Sequence, residues 1–131
     1  MEKTILKKDD FQGPVGGRYF FLSSTSSRAG LISIFLTDSY YGTRTREWLQ
    51  DETRKETGSE MVDLDKKGDF IVFSSPYDES EPKFEFSVTH ETFSKILDEW
   101  EQVISEAKEY IVIEVSDNND VHIYATDQME D

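Results

Sequence analysis

The clearest pattern in this chain lies between Thr89 and Lys108. Phe93, Ile96, Leu97, Trp100, Val103, Ile104 and Ala107 recur at three- and four-residue intervals, the period of one helical face. The spacing predicts a helix from about His90 to Lys108. Thr89 suits its N-cap, and Glu91 suits the positive end of the helix dipole. The opposite face carries Asp98, Glu99, Glu101, Gln102, Ser105, Glu106 and Glu109.

Around this helix the pattern changes to that of strands. Phe84, Phe86 and Val88 alternate with Lys83, Glu85 and Ser87, which marks a strand with one buried face. Met61 to Leu64 and Asp69 to Ser74 flank Asp65-Lys66-Lys67-Gly68 and predict a hairpin. Tyr110 to Val115 and Val121 to Ala125 predict a second hairpin, turning at Asp117-Asn118-Asn119-Asp120. Near the start, Thr4-Ile5-Leu6 reads as a short strand. Arg18 to Leu22 and Leu31 to Leu36 read as two more, a hairpin over residues 18–36 whose long loop is the Ser-rich segment Ser23 to Gly30. Residues 37–60 have weak periodicity, with one short helix expected at Glu47 to Lys55. The sum is an α+β domain spanning 1–131. Its expected architecture is an antiparallel sheet of several strands with one main amphipathic helix (about residues 90–108) packed on one face.

Composition adds a bound and charge adds a direction. Aromatic residues make up 13% of the 131-residue chain, which argues against global disorder despite the many charges. There is no cysteine, so disulfides and thiolate metal sites are excluded. With no signal-like pattern and no apolar run of membrane-spanning length, a cytoplasmic location is expected. The net charge is −14, and it is unevenly placed. Residues 91–131 hold 12 acidic and 2 basic residues, a net of −10, against −4 for residues 1–90. A field of one sign repels nucleic acid and steers oppositely charged partners, so a basic protein is the expected partner, with no membrane and no direct nucleic-acid contact.

Candidate chemistry is sparse. His90 and His122 stand alone, and without cysteine a zinc site would need carboxylates to complete it. Gly13-Pro14-Val15-Gly16-Gly17 lacks the Lys-Ser/Thr pair of a phosphate loop. Asp117 to Asp120 lacks the central glycine and closing glutamate of a calcium loop. No catalytic residue, metal or cofactor is expected. The candidate partner-binding residues are Asp98, Glu99, Glu101 and Glu106 on the helix, and Asp117 and Asp120 in the hairpin turn. Tyr40, Tyr41 and Trp48 join them, because they lie beside arginines in a segment without a clear core stripe. The acids outnumber nearby lysines: Glu91/Lys95 and Lys95/Glu99 are the only i,i+4 pairs of opposite sign from Glu91 to Glu101. Trp100, on the apolar stripe, belongs to the core.

The segment FEFSVTHETFSKILDEWEQVISEAKEYIVIEVSDNNDVHIY, from Phe84 to Tyr124, resembles a pattern found among bacterial immunity proteins of polymorphic and contact-dependent toxin systems. An alternating strand leads through Thr89 into a helix of the form F-x-x-I-L-x-x-W, then a β-hairpin. The resemblance covers about a third of the chain. It implies a stoichiometric inhibitor that binds a cognate basic toxin, often a nuclease, and blocks its active site. The same charge suits a second class, a phage-type nucleic-acid mimic that inhibits a host defence enzyme. An enzyme using carboxylates has no supporting motif.

Overall fold

In a computed structural model of the chain, residues 2–8, 19–20, 27–39, 43–58, 62–76, 78–80 and 82–128 are described. Strands β1 (Glu2–Lys8) and β2 (Tyr19–Phe20) come first. Helix α1 (Arg28–Ile34) follows and continues as a π-helical segment, Phe35–Ser39. Next are helix α2 (Thr43–Gln50) and strands β3 (Glu56–Gly58), β4 (Asp63–Lys67), β5 (Phe70–Ser74) and β6 (Glu85–Thr89). Helix α3 (His90–Glu106) leads to β7 (Tyr110–Val115) and β8 (Val121–Thr126). The fold is α+β. The strands form two antiparallel sheets, in the orders β2-β1-β7-β8 and β3-β4-β5-β6. Helix α3 runs directly from the edge of the second sheet into the first.

Local sequence explains most of these elements. The Thr89 side chain accepts from the Thr92 backbone N–H at 3.1 Å and caps α3, which ends at Ala107 in the left-handed region. Gly68, at φ +61, supplies the turn between β4 and β5, where a left-handed backbone favours glycine. Asn119, at φ 65, does the same between β7 and β8.

The stretch Leu31 to Leu36 is helical, which corrects the strand expected there and with it the hairpin over residues 18–36. Leu31, Ile32, Ile34, Phe35 and Leu36 are all buried. An apolar run buried on every side has no period to distinguish strand from helix. Ser27 accepts from the Gly30 N–H at 2.9 Å and starts the helix. The Ser33 and Thr37 hydroxyls both donate to carbonyls four residues back, at 2.8 Å, as the helix passes into the π segment. The short helix expected at 47–55 lies earlier, at 43–50, and the expected helix end at 108 lies at 106.

Both sheets turn their inner faces to one continuous core. Helix α1 packs against β1, β7 and β5, and α3 against β8, β6 and β5. Phe93 of α3 sits among Phe35 (5.7 Å between ring centroids), Phe73 (6.0 Å) and Trp48 (6.2 Å). Burying each such ring contributes roughly 1.5–3 kcal/mol or more. Trp100, 6% exposed, extends the same core as its place on the stripe predicts.

Arg28 ties the first sheet to α1. Its Nε donates to Glu2 Oε2 at 2.5 Å, and its Nη1 donates to the Ser116 carbonyl at 2.9 Å and to Asn119 Oδ1 at 2.6 Å. One half-buried guanidinium thereby joins β1, the start of α1 and the β7–β8 turn.

Candidate functional site

The acidic face of α3 is built by helix geometry. Phe93, Ile96, Leu97, Trp100 and Val103 point into the core, so the remaining positions must face outward or sideways. Glu91, Asp98, Glu101, Gln102, Ser105 and Glu106 are exposed. The two flanks of this face are held differently.

On the α2 flank, Arg46 supplies a cation that the sequence spacing hides. Its Nη2 donates to Asp98 Oδ1 at 2.8 Å and to Glu101 Oε2 at 3.0 Å, and its Nε donates to Glu101 Oε1 at 3.4 Å. Hydrogen bonds to Glu101 first and Asp98 second push the guanidinium above its already high range. The two carboxylates are therefore compensated by an arginine from another helix, although the acids outnumber the lysines on α3 itself. They also stay open: the side chains of Asp98 and Glu101 are 69% and 47% exposed.

On the β8 flank, Glu99 points sideways rather than outward. Its Oε1 accepts from the Ile123 backbone N–H at 2.8 Å and lies 3.6 Å from His122 Nδ1. Lys95, one helical turn earlier, donates to the Val121 carbonyl at 2.7 Å and to Asp120 Oδ1 at 3.2 Å. Lys95 and Glu99 thus satisfy two backbone groups, the Val121 carbonyl and the Ile123 N–H, on the edge of β8, where they would otherwise lack a strand partner.

The other sequence candidates separate into three groups. Glu106 is exposed near the end of α3 and pairs with Lys108 at 3.5 Å. Asp117 and Asp120 are exposed in the β7–β8 turn, Asp120 beside Lys95. Trp48, by contrast, is 1% exposed and packs in the core, so it offers no surface anchor. Tyr40 and Tyr41 lie outside the described residues, as does the glycine-rich stretch at 13–17. Trp48 is held by Lys66, whose Nζ lies 4.5 Å from the ring centroid. The same ammonium donates to the Trp48 carbonyl and, at 2.6 Å, to that of Asp51. It closes the C-terminus of α2, where orphan carbonyls favour a cation. Burial lowers the Lys66 pKa.

Among the described residues, no group of three or more His, Asp or Glu side chains is placed to hold a metal ion, and no helix is long and apolar enough to cross a membrane. No protein-family model matches the chain, and no curated protein or solved structure is significantly similar to it.

Proposed function

We propose that the chain is a non-catalytic acidic binding protein that neutralises a basic toxin domain, a nuclease above all, by covering its active site. The observation that carries this reading is the placement of Asp98 and Glu101. Arg46 holds both carboxylates in position while leaving them largely open to solvent. Side chains already held in one rotamer lose less entropy on binding. A nuclease surface is basic because it must hold phosphates, so fixed carboxylates suit the same positions. Opposite charge also speeds encounter and suppresses wrong partners. The resemblance of Phe84 to Tyr124 to immunity proteins of toxin systems points the same way.

The test is calorimetry with the toxin domain encoded beside this chain, at low and at high salt. A one-to-one complex is expected, with affinity falling as salt rises and toxin activity lost on binding. Replacing Asp98 with Asn and Glu101 with Gln together should weaken the complex by about tenfold or more. The absence of a complex, or one indifferent to salt and to these substitutions, overturns the proposal.

A further inference from the structure

We infer that the outward face of the β1–β7–β8 sheet is a second docking surface, for an acidic polypeptide segment with an aromatic or apolar anchor. Strand register places three rows of residues on this face: Lys3, Glu114 and His122; Ile5, Val112 and Tyr124; Lys7, Tyr110 and Thr126. Strand parity gives the direction, because Thr4, Leu6, Ile111, Ile113, Val121 and Ile123 are buried on the other side; on the outward face Val112, in the middle row, is itself only 2% exposed, so contact falls to the residues around it.

Lys3 and Lys7 are exposed, Ile5 is 38% exposed, and the His122 side chain is 61% exposed. His122 stacks on Tyr124 with ring centroids 5.3 Å apart, which forms a preset ring platform. Tyrosine supplies contact area at low entropic cost. Two lysines face one glutamate here, in a chain whose net charge is −14. That glutamate, Glu114, already accepts from the Tyr124 hydroxyl at 3.2 Å. Among the described residues, neither lysine meets a carboxylate within ion-pair distance. The sign of this face is therefore opposite to that of the chain, and charge complementarity selects an acidic occupant.

The lysines stand about 14 Å apart along β1, at ~3.4 Å per residue, with rings on the two neighbouring strands about 5–10 Å away. An extended segment with two acids and one ring spans that layout. A phosphate chain fits less well. It carries a charge on every unit and would meet Glu99, 3.6 Å from His122, and Asp120 in the turn, whereas a polypeptide can keep its acids at Lys3 and Lys7 and set an uncharged ring toward β8. This surface and the acidic face of α3 select partners of opposite charge, so either proposal can fail without the other.

The test is a two-dimensional amide NMR titration of the full chain. The probes are a random Glu–Tyr copolymer and, separately, oligothymidylate. With the copolymer, shifts are expected at Lys3, Ile5, Lys7, Tyr110, His122 and Tyr124. Lys3→Glu with Lys7→Glu should weaken the response by about tenfold or more, and the gentler Lys3→Gln with Lys7→Gln serves if that pair unfolds. No shift, or shifts scattered over other faces, overturns the inference. So does a stronger response to oligothymidylate, which would mark a nucleic-acid surface. Concentration-dependent shifts at the same residues without any probe would assign the face to a second copy of the chain and also overturn it.

Discussion

The Glu99 carboxylate accepts a hydrogen bond from the Ile123 backbone N–H at 2.8 Å, so a side chain of α3 completes the edge of β8. Removing the acceptor leaves a partly buried donor unsatisfied, which costs about 1–3 kcal/mol. Glu99→Ala should therefore lower the free energy of unfolding by about that amount in urea titrations. Glu99→Gln keeps an acceptor and should lose much less. Equal losses in the two variants would show that packing, not the hydrogen bond, sets the cost.

Arg46 presents the opposite case, a bond made at the surface. Its ties to Asp98 and Glu101 are partly exposed, and such pairs contribute roughly 0–1 kcal/mol each. Arg46→Gln should be only mildly destabilising. It should also raise the association rate with a basic partner, because two carboxylates lose their internal counter-charge. Stopped-flow measurements at low salt would detect the gain; a slower encounter would contradict the assignment of this face.

Helix α3 was legible in sequence because one of its faces is wet, which gives its apolar residues a helical period. Its cap at Thr89 and the Asn119 turn were legible for local reasons too, since both depend on neighbours within a few residues. Leu31 to Leu36 was not legible, because a segment buried all round carries no such period. The nearest cue was Ser27, a helix-starting residue set within a serine-rich run that also reads as a loop. The state of the candidate site was hidden for another reason. Arg46 meets Asp98 and Glu101 across 52 and 55 positions of sequence, and no pattern of spacing on α3 reports a partner on α2. Trp48 misled by its neighbours: arginines on a thin helix look like an interface, while the ring itself turns into the core.

Asn119 separates a backbone requirement from a side-chain one. Its φ of 65 favours glycine, yet its Oδ1 accepts from Arg28 at 2.6 Å. Asn119→Gly relieves the backbone and loses the hydrogen bond to a charged donor, worth about 1.5–3 kcal/mol. A net loss of stability is expected, and it should vanish in an Arg28→Ala background. Equal losses in both backgrounds would show that the two residues are not coupled.

Acid sensitivity should map in part to Asp78. The Ser80 hydroxyl, then the backbone N–H groups of Ser80 and Phe84, hold its carboxyl below the usual carboxylate range. A depressed folded-state pKa means that the unfolded chain binds the proton more tightly. The stabilisation is therefore complete above the unfolded value and is lost as pH falls through the folded one. Thermal melts on the acid limb should show a shallower pH dependence in Asp78→Asn than in the parent. An unchanged slope would place the acid sensitivity elsewhere.

Trp100→Ala should cost roughly 3–5 kcal/mol, the usual penalty for deleting a buried aromatic side chain. Asp98→Ala, two positions away on the open face, should cost well under half of that. Chemical denaturation of the pair measures directly how sharply α3 divides into a buried structural side and an open side.

The pairing of β1 with β7 sets a timetable for synthesis. Lys7 lies opposite Tyr110 and Glu2 opposite Val115, so the first strand finds its main neighbour only in the last quarter of the chain. As the polypeptide leaves the ribosome, β4 to β6 can zip up hairpin by hairpin, while residues 2–8 have only the short β2 beside them and wait for β7. The β1–β7 pairing cannot form before residues 110–115 are made, and it closes a loop of about a hundred residues, a non-local contact of the kind associated with slower folding.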